Sequence, residues 1–78
     1  MSKDRPHMAT TYLYDVKTGR AHAYTLDGEN YYLADDSTWW AYQAGNHLYE
    51  ATTGQPIAYW SGDHLYGARA GHALWQRA

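Results

Sequence analysis

A chain of 78 residues with no cysteine has room for one small domain, without a disulfide to staple it, thiol chemistry or a cysteine-based zinc site. Six basic residues stand against eight acidic ones, spread along the chain for a net charge of −2, which excludes the basic stripe of a nucleic-acid binder. Nine tyrosines and four tryptophans stand beside no phenylalanine, so every large aromatic ring carries a polar atom and suits a boundary better than a sealed interior.

Residues 1–8, MSKDRPHM, are polar and lack pattern, and read as a disordered or cloning-derived tail with its junction at His7-Met8. The domain then runs over residues 9–78. Neither a signal peptide nor an apolar run of membrane-spanning length is visible, so the expected location is cytoplasmic by default.

Four units follow. The first, YLYDVKTGRAHAYTLDGE, opens on Leu13-Tyr14, turns at Gly19 and closes at Tyr24. The second, NYYLADDSTWWAYQAGN, has Tyr31-Tyr32, Ser37 where the glycine should be, and Tyr42. The third, HLYEATTGQPIAYWSGD, has Leu48-Tyr49, Gly54 and Tyr59. The fourth, HLYGARAGHALWQRA, has Leu65-Tyr66, Gly71 and then Gln76 in place of the closing tyrosine. Gly28, Gly45 and Gly62 recur at intervals of 17 residues, and the one extra residue of the first unit fits in TLDGE. Short segments rich in Tyr, Trp and Thr and bounded by Gly are strands. VKTGR and ATTGQ fit three-residue hairpin loops with a left-handed glycine, and DG, AG and SG fit tight turns between units. The predicted fold is all-β: four repeated β-hairpins of about 17 residues each, closing into a shallow pseudo-four-fold barrel. Units too small to bury a face alone must stack, and closure removes exposed strand edges.

Simple alternation divides the rows into two faces. Tyr14, Tyr32, Tyr49 and Tyr66 fall with Val16, Ala34, Ala51 and Ala68, with His22, Trp40, Ile57 and Leu74, and with Tyr24, Tyr42 and Tyr59. This face is almost wholly apolar or aromatic and is expected to be the core or to line a central aromatic cavity. The opposite face mixes Asp15, Leu33, Glu50 and Gly67 with Lys17, Asp35, Thr52 and Arg69. Two rows on it stand out: Leu13, Tyr31, Leu48 and Leu65 are apolar, and Ala23, Ala41 and Ala58, with Trp75, are small at three of four places. A small residue repeated about an axis implies close backbone approach.

The pieces LYDVKTGRAHAY, YYLADDSTWWAY and LYEATTGQPIAY, with LYGARAGHALWQ as a degenerate last copy, resemble the bacterial four-fold beta-flower proteins over about residues 12–77. That resemblance implies a shallow barrel whose hairpins splay like petals, and it carries over no site residues. The departures are Ser37, Gln76 and Trp75, all of which bear on local geometry. YLYDVKTGR is also similar to the tyrosine-aspartate repeats of bacterial surface shells, and GENYYLADDSTWW to aromatic cell-wall-binding repeats, but both have longer units.

His47 and His64 occupy equivalent places and could meet at one rim as metal ligands. The matching residues Tyr12 and Asn30 are poor ligands, so no metal and no cofactor is expected. The carboxylates of Asp15, Asp35, Asp36, Glu50 and Asp63 fall at turns or on the mixed face, where solvation accounts for them, and an enzyme is not expected. By alternation Trp39, Trp60 and Trp75 lie outside with Leu13, Leu48 and Leu65. Three readings remain for these tryptophans: core after strand twist, a self-association surface, or a groove for an apolar or glycan ligand. The expected function is a non-enzymatic interaction module, self-associating into a homo-oligomer through these Trp and Leu rows. The alternative is a small apolar or glycan ligand in the aromatic cavity.

Overall fold

The computed structural model describes residues 10–77, so the tail expected at residues 1–8 lies outside the described residues. Eight strands follow in order: β1 Thr11–Asp15, β2 Ala21–Thr25, β3 Asn30–Leu33, β4 Trp39–Ala44, β5 His47–Glu50, β6 Pro56–Ser61, β7 His64–Gly67 and β8 Ala73–Arg77. Each pairs antiparallel with its neighbours, and β1 pairs with β8, so the sheet is a closed barrel. The four repeats are the four hairpins β1–β2, β3–β4, β5–β6 and β7–β8, as the sequence implies. Closure leaves no strand edge exposed, which a meander this short needs.

Within each hairpin the loop has four residues, one more than its sequence suggests. The amide of Asp15 donates to the carbonyl of Arg20 at 2.8 Å, and the amide of Gly19 donates to the carbonyl of Asp15 at 2.8 Å. The other three hairpins repeat both bonds at Leu33, Glu50 and Gly67. The last loop residue takes the left-handed conformation in all four, with φ of 74°, 62°, 75° and 74° at Gly19, Ser37, Gly54 and Gly71. The links between hairpins also match expectation. Gly45-Asn46 and Gly62-Asp63 are two-residue turns with positive φ at the glycine only, the pattern of a type II′ turn. The longer first link, residues 26–29, is wound around Asp27.

Every second strand carries a β-bulge, and the bulge decides which side chains point inward. Leu13 pairs with Ala23 but Tyr14 pairs with Ala21, so His22 is the extra residue. Trp40, Ile57 and Leu74 are the extra residues of β4, β6 and β8. At a bulge two consecutive residues oppose one, so strict alternation fails across it. His22 and Ala23 therefore both turn to the barrel, as do their counterparts.

The face assignment from alternation is accordingly inverted for the leucine and tyrosine rows, while Trp40 and Ile57 lie on the core side as expected. The buried core is Leu13, Ala23, Tyr31, Ala41, Leu48, Ala58, Trp60 and Leu65, with Leu13, Leu48 and Leu65 at 0 % exposure. Trp40, Ile57 and Trp75 pack against it from the bulged ends. The tyrosines expected inside, Tyr14, Tyr24, Tyr32, Tyr42, Tyr49, Tyr59 and Tyr66, are only half-buried and stand on the outer face. The reason is the bore. An eight-strand barrel is just wide enough for side chains to fill. A layer of three leucines and Tyr31 facing alanines satisfies it, whereas two layers of tyrosines would not fit. Tyr tolerates the outer position because its hydroxyl stays wet.

The hairpins are also tied to one another behind the bulges. The amides of Val16, Ala34, Ala51 and Ala68 donate to the carbonyls of Leu74, His22, Trp40 and Ile57 at 2.9–3.1 Å. Each bulged residue thus offers its carbonyl to the next hairpin in the ring.

Two mutational outcomes follow. Leu48→Ala should destabilise by about 2–5 kcal/mol, since it opens a cavity in a bore with little room to collapse; a denaturant midpoint close to wild type would restore the outward facing of the leucine row. Ser37→Gly should stabilise by about 0.5–1 kcal/mol by relieving a left-handed non-glycine, while Gly54→Val should cost about 1 kcal/mol or more. Equal shifts of the same sign for these two variants, read from urea midpoints, would contradict the turn geometry.

Candidate functional site

With the leucines sealed inside, the aromatic surface is what the barrel presents. Outward tyrosines meet across each link between hairpins. Tyr42 and Tyr49 stack with centroids 5.6 Å apart and planes 19° apart, and Tyr59 and Tyr66 repeat this at 5.7 Å and 18°. Tyr24 and Tyr32 lie 5.7 Å apart at 34°. The fourth such place pairs Gln76 with Tyr14, so the aromatic ring is interrupted there. Further contacts join the pairs into two arcs. Tyr14, Tyr12, Tyr24 and Tyr32 form one. Trp39, Tyr42, Tyr49, His47, Tyr59 and Tyr66 form the other. Tyr32 and Trp39 are register partners, which brings the two arcs together. Offset aromatic pairs of this kind are worth about 0.5–1.5 kcal/mol beyond their buried area, so the belt also braces the hairpins.

Trp39 is the exposed centre of this surface. It sits just before the bulge, where the other hairpins have Ala21, Pro56 and Ala73. Its indole is 48 % exposed, and Tyr42 lies 6.3 Å away. The other two tryptophans expected outside lie elsewhere. Trp60 is buried at 8 % exposure, and Trp75 fills the place in β8 that alanine holds in the other hairpins. The Trp39, Trp60 and Trp75 row is therefore divided by the fold: Trp39 is exposed, Trp75 half-buried and Trp60 buried.

The ends of the bore are closed differently. At the link end Gln43 is a half-buried acceptor. Its Oε1 receives the Tyr31 hydroxyl at 2.9 Å and the Trp60 indole N–H at 3.0 Å, and its own amide donates to the Gly45 carbonyl at 3.1 Å. Arg77 covers the Trp60 ring at 4.3 Å and donates to the Gly62 carbonyl and to Asp63. Sequence reasoning missed this polar plug. Its signal is the row Thr25, Gln43, Trp60 and Arg77, two residues beyond the small-residue row, where three of four members are polar.

At the loop end His22, Trp40 and Trp75 form an aromatic triangle. The His22 ring lies 4.7 Å from Trp40 and 4.9 Å from Trp75, and the two indoles lie 5.2 Å apart, edge to face. The Nε2 of His22 is buried without a hydrogen-bond partner. Burial holds its pKa below the ordinary 6.5, opposed by the negative charges of Asp15 and Asp35.

The carboxylates mostly serve turns. Asp15 accepts from the amides of Lys17 and Thr18, and Asp36 from the amide of Thr38. Asp27 accepts from the amides of Asn30 and Glu29 and from the Asn30 side chain, which lowers its pKa to about 2. His47 and His64 head β5 and β7, with β6 between them. Among the described residues no group of three or more His, Asp or Glu side chains could hold a metal ion. Comparison with known proteins finds no matching family model, no significantly similar curated protein and no significantly similar solved structure.

The titrations predict how stability varies with pH. His22 has a folded-state pKa below its unfolded value, so the unfolded chain takes the proton first. Its contribution is full above pH 6.5 and declines as pH falls below that value. Asp27 contributes fully above its ordinary 3.8 and loses its contribution as pH falls toward about 2. Thermal melts should therefore show two acid-side declines. His22→Phe should flatten the upper one, and Asp27→Asn should reduce the lower one, to which Asp15 and Asp36 also contribute because hydrogen bonds from the Lys17 amide and from Thr38 hold their pKa values down; an upper decline that survives in His22→Phe would assign it to another group.

Proposed function

We propose that this chain is a non-enzymatic interaction module that self-associates through its outer aromatic belt, with Trp39 at the centre of the contact. The observation that carries the reading is the exposed Trp39, at 48 %, beside Tyr32 and Tyr42 at a place where the other hairpins have a small residue or proline. Trp and Tyr are the residues that most often dominate binding energy at the centre of an interface. Both have few rotatable bonds, so ordering them on association costs little. Tyr12 at 40 % exposure extends the same aromatic surface on the neighbouring hairpin. The leucine rows take no part, since Leu13, Leu48 and Leu65 are fully buried.

Membership of the four-fold beta-flower proteins is part of this proposal. Four hairpins in register, each with a bulge, a left-handed loop end and an alanine or tryptophan turned inward, support it. The non-enzymatic reading is supported by the engagement of Asp15, Asp27 and Asp36 as turn acceptors.

Sedimentation velocity at tens of micromolar provides the test. Wild type should sediment as an oligomer. Trp39→Glu should sediment as a monomer with the wild-type β spectrum, because its side chain is not part of the core. A wild-type monomer across this range, or an oligomer unaffected by Trp39→Glu, would remove self-association through the belt. A rise in tryptophan fluorescence on adding oligosaccharides to such a monomer would transfer the belt to a glycan ligand.

A further inference from the structure

The loop end carries a second site, made by the same repeat on a different part of the barrel. Each hairpin loop there lies against the bulged strand of the preceding hairpin. Between the fourth loop and β6 this contact opens into a groove of about 370 Å³. Between the first loop and β8 the equivalent groove is about 140 Å³. The difference follows from residue size. Gly67, Ala68 and Ala70 line the larger groove, where the first hairpin has Asp15, Val16 and Thr18. A Cβ added at Gly67 would sit 2.8 Å from a Leu74 methyl and 3.1 Å from the Ala70 Cβ, so a larger residue there would displace the Leu74 side chain.

The groove has an apolar lining and two opposite charges. Pro56, Ile57, Ala68, Ala70 and Leu74 supply its apolar lining, beside the neutral amide of Gln55. Glu50 from the third hairpin and Arg69 from the fourth line it as well. The Thr53 hydroxyl donates to Glu50 Oε1 at 2.8 Å, which fixes the carboxylate in place. A neutral apolar ligand would leave both charges unused. A plain carboxylate would meet Arg69 but be repelled by Glu50, and a plain amine the reverse. A zwitterion with an apolar body answers all three features, and the volume falls at the lower end of small-molecule sites, about 300–1,000 Å³.

We propose that this groove binds a free α-amino acid with an apolar side chain. Its carboxylate pairs with Arg69, its ammonium with Glu50, and its side chain rests on Ile57 and Leu74. The guanidinium fork suits a carboxylate, and charge-assisted bonds of this kind are the stronger ones. The groove is open to solvent, so a dissociation constant of about 1 mM is expected.

The test is an amide NMR titration of the full chain with L-leucine, N-acetyl-leucine and leucinamide. Leucine should shift the amides of Gly67, Ala68 and Arg69 saturably. Each control lacks one charge and should bind at least about tenfold more weakly. Arg69→Ala and Glu50→Gln should each weaken leucine binding by a similar factor, with the remaining amide spectrum intact. The proposal is overturned by any of three results: no saturable shift at tens of millimolar leucine, equal binding of either control, or leucine binding unchanged in both variants. Shifts centred on Trp39 and Tyr42 would also overturn it, by moving the ligand to the belt. None of these outcomes depends on whether the chain self-associates.

Discussion

The width of an eight-strand bore is the constraint on which the rest of this molecule depends. Such a barrel admits one thin column of side chains. Here the column is Leu13, Tyr31, Leu48 and Leu65 against Ala23, Ala41, Ala58 and Trp75. Filling it with leucine and alanine leaves the tyrosines no place but the outer wall. A domain this small has little apolar area to bury, and each leucine contributes about 1.5–3 kcal/mol. Stacked tyrosines outside and a ring of backbone hydrogen bonds between hairpins supplement that core.

The bulge makes the narrow column workable. It turns two successive residues inward near the start of each second strand, and of the bulged residues His22, Trp40, Ile57 and Leu74, Trp40 and Ile57 pack against the core. The same residues present their carbonyls to the neighbouring hairpin. Because this scaffold is largely backbone, individual hairpins can depart from the pattern without losing it. Ser37 takes the left-handed position with φ of 62° and shares a hydrogen bond of 2.7 Å with the Tyr24 hydroxyl. Gln76 replaces a tyrosine, and the fourth hairpin still keeps its bulge, its four-residue loop and its pairing with β1.

The departures are also where function is to be sought. A residue that matches its three counterparts is accounted for by the fold. Trp39 does not match Ala21, Pro56 and Ala73, and it leaves an indole in water that the barrel does not need. Gly67 and Ala70 match none of their three counterparts, and the groove they line is wider than the one beside the first loop. Four-fold pseudo-symmetry thus serves as an internal comparison, with three hairpins as reference for the fourth.

The 17-residue interval, the glycines at the turns and the absence of any helical period were enough to determine the class, the strand count and the hairpin pairing, because turn chemistry is local. The left-handed glycines at positions 19, 54 and 71 were legible for the same reason, whereas only the structure decides that Ser37 takes the same conformation rather than marking a different turn. The row of small residues was legible as a place of close approach, and its alanines are fully buried. Which face is inside was not legible. That depends on a bulge at His22, Trp40, Ile57 and Leu74, and a bulge is a property of two paired strands rather than of one. Simple alternation carried across it reverses the assignment of the leucine and tyrosine rows. Composition could not correct this, since Tyr is apolar enough for a core and polar enough for a surface. Only the closed barrel, whose bore admits leucine and alanine but not successive layers of tyrosine, decides that Leu48 is hidden while Trp39 faces solvent.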